Sequence, residues 1–181
     1  MPNNPTQQAE TKGEWFYNFT RGLLSHTAYM VRKKFFDFFM ETMQPTAETA
    51  ILDVGVNGET LGEGDNYFEK LYPWTNRITA VGVQDASILE KQYPGLTFVR
   101  SDGKDLPFPD NSFDVVFCAA VAEHVGSFEN QKRLFRECLR VGKKAFITTP
   151  DRLFPFEAHT ALPFLHWLPK PMYRKLLRFI G

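Results

Sequence analysis

Five short apolar runs, separated by segments with helical patterns, constrain the fold of this chain more than any other feature of its sequence. The runs are AILDV, ITAVGV, LTFVR, FDVVFCAA and KAFITT. Strands that are apolar almost throughout are buried on both faces, which is typical of a parallel sheet covered by helices. We therefore predict an α/β, doubly wound, mainly parallel sheet, whose ligands bind at the carboxyl ends of the strands.

Helices are predicted between and before these runs. Val31, Phe35, Phe38 and Met43 recur at helical spacing in a segment from about residue 27 to 43, which we expect to be core or a lid, or else a partner interface. A capping box, with Asn66 followed three residues later by Glu69, predicts the start of a short helix. Further helices are predicted over residues 86–92 and 128–140.

The composition is that of one globular domain. The 181 residues include 21 Lys and Arg and 21 Asp and Glu, so a general attraction to nucleic acid is not expected. Cys118 and Cys138 do not have the spacing of metal ligands, so we predict no metal site. We expect both to be reduced thiols, which is typical of a cytoplasmic protein. Residues 1–20 are polar and predicted to be disordered or loosely packed, whereas residues 21–181 form a single domain with an aromatic tail over 151–181.

The stretch ILDVGVNGET carries the first indication of a ligand. Asp53 ends an apolar strand, and Gly55 allows the backbone to approach a ligand closely because no Cβ intervenes. The pattern departs from G-x-G-x-x-G, and the acids Glu59, Glu63 and Asp65 would repel a pyrophosphate. This disfavours a nicotinamide-dependent oxidoreductase and favours a cofactor without phosphate, such as S-adenosylmethionine.

Four motifs in order over residues 50–150 resemble those of the class I S-adenosylmethionine-dependent methyltransferases of the small type 11 kind, which have a Rossmann-like fold. They are ILDVG, ITAVGVQD, VRSDGKDLPFPDNSFDVVF and AVAEHV. The resemblance implies that Asp53 contacts the amino-acid end of the cofactor, with Gly55 beneath it. It also implies that Asp102 meets the adenine amino group, with Gly103 near the ring, and that Ala119 begins the segment beside the methionine.

Two departures from the family pattern bear on cofactor binding. Asn57 stands where relatives usually have glycine, although Asn tolerates left-handed backbone angles. The ribose-binding acid of the family aligns with Gln84, and Asp85 follows one place later, so either residue is a candidate. The chain also ends too early for the sixth and seventh strands of the family. A sheet lacking them would leave the fifth strand exposed unless the tail or a partner covers it.

Methyl transfer requires mainly alignment of a nucleophile with the methyl group, and a base only if that nucleophile must lose a proton. Candidate bases are His124 and His159, with Glu123 a weaker one. We expect the acceptor to be small, sugar-linked or lipid-linked. A catalytically inactive binding or scaffold protein is the alternative.

The end of the tail allows two interpretations. Met172, Leu176 and Ile180 share one face of a predicted helix, and Arg174, Lys175 and Arg178 lie elsewhere on it. Packing on the domain is the first interpretation, and peripheral membrane contact is the second. The residues give no indication of an oligomeric state.

Overall fold

The computed structural model describes residues 29–58, 65–149 and Met172, and within them five strands form one parallel sheet. The strands are β1 (Ile51–Val54), β2 (Ile78–Gly82), β3 (Thr97–Arg100), β4 (Phe113–Ala119) and β5 (Gly142–Thr148). Their order across the sheet is β3-β2-β1-β4-β5, and every neighbouring pair is parallel. The predicted doubly wound α/β fold is therefore confirmed.

Helices cover both faces of the sheet, and they bury the central strands β1, β2 and β4 along most of their length, whereas the edge strands β3 and β5 are partly exposed. The helices are α1, described over residues 29–43, α2 (Tyr67–Leu71), α3 (Ile88–Gln92) and α4 (Phe128–Val141), and a 3-10 turn covers Thr75–Arg77. Alternate residues of a strand point to opposite faces. Ile51 accordingly packs with side chains of α1, α2 and α3, whereas Leu52 packs with those of α4.

Helix α1 packs through a different face from the one that the sequence pattern indicated. Phe36 and Phe39 are buried, whereas Val31, Phe35 and Phe38 are about half exposed. The ring of Phe39 lies 5.2 to 5.4 Å, between centroids, from Phe68, Phe117 and Phe146. The run FFDFFM places apolar side chains on two faces of a helix, and contact with the sheet selects one of them. The predicted helix thus contributes to the core, but through Phe36 and Phe39 rather than through most of the positions that the spacing singled out.

The predicted capping box at the start of α2 is also wrong. Asn66 has φ 47° and ψ 41°, and its side chain does not cap the helix. Its amide group instead spans the loop, donating to the backbone oxygen of Asn57 at 2.7 Å and accepting from the backbone nitrogen of Asn57 at 3.3 Å. Glu69 points into the protein and is buried. The pattern N-x-x-E therefore serves the loop and the interior rather than the helix terminus.

Asp114 has a structural role in the sheet. It lies at the amino end of β4, where its carboxylate accepts from the backbone nitrogen of Ala50 at 2.9 Å and from Lys143 Nζ at 2.7 Å. These bonds tie together the starts of β1, β4 and β5 at the edge of the sheet opposite the strand ends discussed below.

Strand β5 has β4 as its one strand neighbour in the part of the chain that the structure describes. The predictions for residues 1–20, for His159 and for most of the 151–181 tail lie outside the described residues. Within the described residues, no helix has the length and apolar character needed to cross a bilayer. Cys118 and Cys138 are both buried thiols in the layer between the sheet and α4.

Candidate functional site

The residues predicted to bind a cofactor all lie at the carboxyl edge of the sheet. The strand ends are level there, because Val54 of β1 is in register with Val81 of β2 and with Cys118 of β4. The predicted residues are Asp53 in β1, Gly55 and Asn57 after it, Gln84 and Asp85 after β2, Asp102 and Gly103 after β3, and Ala119 at the end of β4. Parallel strands thus bring together residues that are as much as 66 positions apart in the sequence (119 − 53).

The loops that follow these strands are in direct contact through glycine backbones. Gly55 has φ 108°, and a Cβ on it would overlap the side chain of Val121 in the segment after β4. A Cβ on Gly58 would overlap the backbone oxygen of Asp85 in the loop after β2. The loop after β1 is therefore held between the loops after β2 and β4, and side chains at either glycine would force them apart.

The acid at the tip of β1 is part of a buried pair. Asp53 and Glu69 are 6% and 1% exposed, and Glu69 of α2 is close enough to raise the pKa of Asp53. Burial is the largest cause of that rise, followed by the charge of Glu69 and a hydrogen bond to it. Burial also raises the pKa of Glu69, although the hydrogen bond with Asp53 acts in the opposite direction. The pair therefore retains protons to a higher pH than exposed carboxyl groups do.

Sequence reasoning predicted a cofactor-binding role for Asp53 but did not single out Glu69 as its buried neighbour. The available signal was an acid inside the otherwise apolar run NYFEKLY, on the side of the helix that carries Phe68 and Tyr72 into the core. A capping role accounted for that acid without requiring burial. Only the packing of α2 on β1 shows that the side chain is directed at Asp53.

The two candidate ribose ligands differ in their local bonding. Asp85 Oδ1 accepts from the backbone nitrogen of Ser87 at 2.9 Å, which is the main cause of its lowered pKa. The carboxylate of Asp85 thus caps the turn that leads into α3. The side chain of Gln84 is exposed and makes no hydrogen bond within residues 29–58 and 65–149. Both residues follow β2 directly, and the local turn occupies one oxygen of Asp85.

Asp102 forms a local turn as well as lying at the site edge. Its Oδ1 accepts from the backbone nitrogen of Lys104 at 3.1 Å, and its Oδ2 pairs with Lys104 Nζ at 2.7 Å. Partial burial raises the pKa of Asp102, but its bonds with Lys104 outweigh this and the pKa is lowered. Gly103 is buried, and a Cβ on it would lie 2.8 Å from Leu134 Cδ1 and 3.0 Å from Val54 Cγ1. Glycine here lets the loop after β3 pack against β1 and α4.

Comparison with known proteins agrees with this geometry. A family model described as a methyltransferase domain matches residues 52–145, which is more than half of the chain. This chain belongs to that methyltransferase family. An uncharacterized methyltransferase of Mycolicibacterium vanbaalenii is 34% identical over 128 residues, covering 65% of this chain and 46% of the relative. Uncharacterized methyltransferase YcgJ of Bacillus subtilis is 29% identical over 106 residues, covering 58% of this chain and 41% of the relative.

A solved structure shares the fold of this chain. A crystal structure of a SAM-dependent methyltransferase from Aquifex aeolicus superposes with a TM-score of 0.53 at 18% identity, covering 81% of this chain and 78% of that one. That identity supports the fold alone. The chain spans less than half the length of the two curated relatives.

In this methyltransferase domain the segment after β4 closes one side of the site. Ala120 adopts φ 57°, which is unfavourable for a residue with a Cβ. Its backbone nitrogen donates to the backbone oxygen of Thr148 at 2.9 Å. The backbone nitrogen of His124 donates to the oxygen of Val121 at 2.9 Å, so this candidate base lies in the turn that contacts Gly55. Glu123 has one buried oxygen, Oε2, without a hydrogen-bond partner. The structure thus brings His124 and Glu123 to the site edge.

An ion pair that sequence reasoning missed positions the segment after Gly103. Arg140 of α4 donates to the backbone oxygens of Leu106 and Phe108 at 2.9 and 2.7 Å. Its partner Glu137 accepts from Arg140 Nη2 at 2.7 Å and from the backbone nitrogen of Leu106 at 2.8 Å. The available signal was an acid and a base three residues apart on α4. The pair connects the conformation of the loop after β3 to the helix beneath it.

Proposed function

We propose that this chain binds S-adenosylmethionine at the carboxyl edge of its sheet and takes part in methyl transfer to a small, sugar-linked or lipid-linked acceptor. Membership of the methyltransferase family supports the class of reaction. The observation that carries the proposal is the contact of the loops after β1, β2 and β4 through Gly55 and Gly58. Nucleoside-containing ligands of α/β proteins bind at this edge of the sheet, which supports the proposal.

The residues present fit such a cofactor. A buried acid pair suits an ammonium group, because a carboxyl group with few partners gains a cationic one. Gly55 and Gly58 let the loops after β2 and β4 pack directly against the loop after β1, so that the backbone of this edge is held in place. In this proposal the amino-acid end lies at Asp53, the ribose at Gln84 or Asp85, the adenine at Asp102 and Gly103, and the methionine chain beside Ala119.

The cofactor supplies an activated methyl group, so that the protein needs chiefly to bind and orient. The chain contributes the loops described above and, at the acceptor side, the turn that carries His124. His124 is the proposed base for an acceptor that must lose a proton, and His159 remains a second candidate. Glu123 lies next to His124 in the same turn.

Titration calorimetry with S-adenosylhomocysteine tests the proposal on the full chain. We expect saturable binding with one site per chain. Asp53→Asn should weaken it about tenfold to a hundredfold, because a hydrogen bond to a charged group contributes about 1.5–3 kcal/mol. Asp114→Asn is the matched control, since Asp114 is an acid of the same sheet at its opposite edge. Absence of binding by the folded wild type, or equal loss in both variants, would refute the assignment.

The alternative, a methyltransferase-like binding protein without turnover, is favoured by Asn57 and Gln84, which depart from the family pattern. Release of S-adenosylhomocysteine from S-adenosylmethionine, measured with panels of sugar-linked and lipid-linked acceptors, separates the two functions. A labelled product that disappears in Asp53→Asn supports the enzyme. Cofactor binding with no product from any acceptor supports the binding protein.

A further inference from the structure

Asp53 and Glu69 are the two buried polar or charged side chains among residues 29–58, 65–149 and Met172. Both oxygens of Glu69 are buried, and their contact with Asp53 is close enough to act on both pKa values but lies outside ideal hydrogen-bond geometry. Asp53 lies on the same face of the sheet as α2, one residue from the end of β1, and the loop contacts of Gly55 begin two residues later. A second buried acid therefore lies beside the acid near the carboxyl end of β1.

This arrangement is costly for folding. A buried polar group without a partner destabilises the folded state by about 1–3 kcal/mol, and two carboxyl groups in contact cannot both ionise without repulsion. The ionisable groups that act on the pair or on Tyr67 beside it are Arg32 from α1, Tyr67 and Lys70 from α2, Tyr93 after α3 and Cys118 from β4. Lys70 lowers the pKa of Glu69, but less than burial raises it. The described cations therefore do not neutralise the pair.

We propose that Asp53 and Glu69 share a proton before ligand binds and release a proton to solvent when an alkylammonium group docks against Asp53. Glu69 is then a positioning residue, which acts through Asp53 and sets how strongly cofactor binding depends on pH. The inference rests on the proposed function, because the amino-acid end of S-adenosylmethionine supplies the ammonium group. It adds to that function a second acid, on α2, that no strand-end motif contains.

The proton balance of the proposal is simple. No covalent bond changes: the ammonium group retains its protons, the acid pair loses one, and the buffer accepts it. Proton release on binding means that affinity rises with pH, with a limiting slope of about tenfold per pH unit for one proton. The ligand amine itself titrates near pH 8, so the rise should be visible between about pH 6 and 7.5.

Two ligands separate this effect from binding of the nucleoside. S-adenosylhomocysteine and 5′-methylthioadenosine share the adenosine and the thioether sulfur, but only the first has an ammonium group. Calorimetry at pH 7 in phosphate, imidazole and Tris, which differ in ionisation enthalpy, measures the number of protons released. We expect between about one half and one proton for S-adenosylhomocysteine and none for 5′-methylthioadenosine, together with a threefold to tenfold gain in the affinity of the first alone from pH 6 to 7.

A conservative variant tests the part played by Glu69. In Glu69→Gln the like charge is removed while the burial of Asp53 remains, so the pH-dependent range should move to lower pH. We expect the number of protons released at pH 7 to fall by at least half. Glu41→Gln, on the exposed side of α1, is the control and should release as many protons as the wild type. A purely structural Glu69 would change affinity or stability without changing proton release.

The outcomes distinguish the inference from the function on which it rests. Binding of both ligands by the wild type without proton release would overturn the inference and leave cofactor binding intact. Equal proton release by the wild type and Glu69→Gln would overturn the role of Glu69. Failure of the folded wild type to bind either ligand would overturn both proposals. If Glu69→Gln does not fold, the comparison of the two ligands on the wild type still decides whether protons leave.

Discussion

Replacing Glu69 by Met should stabilise this protein at alkaline pH. Methionine is close to glutamate in length and has no group that requires a hydrogen bond. The substitution removes two buried oxygens that have no well-formed hydrogen bond, and it removes the charge that acts on Asp53. Removing one such buried group relieves about 1–3 kcal/mol, so we expect the free energy of unfolding at pH 8 to increase by about that amount. For a chain of this length, Tm should rise by about 2–4 °C per kcal/mol.

The gain should depend on pH in a defined direction. The pKa values of Asp53 and Glu69 are raised in the folded state, so the folded protein binds more protons than the unfolded one above about pH 4. The contribution of this pair to the free energy of unfolding therefore falls as the pH rises from there through the folded pKa values. The advantage of Glu69→Met should be small near pH 4 and largest at pH 8.

Urea unfolding followed by circular dichroism at pH 5, 6.5 and 8 measures this difference. Glu41→Met, an exposed position on α1, is the matched control and should change stability by less than about 0.5 kcal/mol at every pH. A loss of more than about 1 kcal/mol in Glu69→Met at pH 8 would contradict the reasoning. It would mean that the ionised Glu69 has stabilising partners in the folded protein.

Three further substitutions test the loops around the site. Gly55→Ala should lower the free energy of unfolding, measured in urea, by more than about 1–2 kcal/mol, because Gly55 has a positive φ and a Cβ would overlap Val121. Adding Val121→Ala should restore part of this loss. Ala120→Gly should raise the free energy of unfolding by as much as about 1 kcal/mol by relieving the left-handed backbone, and unchanged or lower stability would contradict this. Glu137→Gln should lower the free energy of unfolding by about 1 kcal/mol at pH 7, and by less toward pH 4. The hydrogen bond from Arg140 lowers the pKa of Glu137, so the stabilisation by the ionised carboxylate is lost as the pH falls through that pKa.

The fold was predictable because each strand carries its own signal. The run FDVVFCA is apolar on both faces, and a parallel strand between helices is the element that buries such a run. The position of Asp53, Gln84 and Asp102 after successive strands followed from the same signal. Parallel strands must bring their carboxyl ends to one edge, whatever lies between them in the sequence.

The packed face of α1 was not predictable in this way. Phe35, Phe36, Phe38 and Phe39 are equally apolar, and periodicity alone supports more than one choice of face. The rings of Phe68, Phe117 and Phe146 select Phe39, and all three come from later elements. The same applies to Asn66, whose residue type suits a helix cap but whose amide fits the backbone of Asn57 across the loop.

The sequence by itself determined the order of the elements, the parallel sheet and the edge at which the candidate residues lie, because these depend on local patterns of apolar and turn residues. Only the tertiary structure decided which side chains meet. Asp53 and Glu69 are brought into contact by the packing of α2 on β1, and Gly55 and Val121 by the level ends of β1 and β4. Contacts between residues distant in the chain depend on how whole elements pack, and no local pattern encodes that packing.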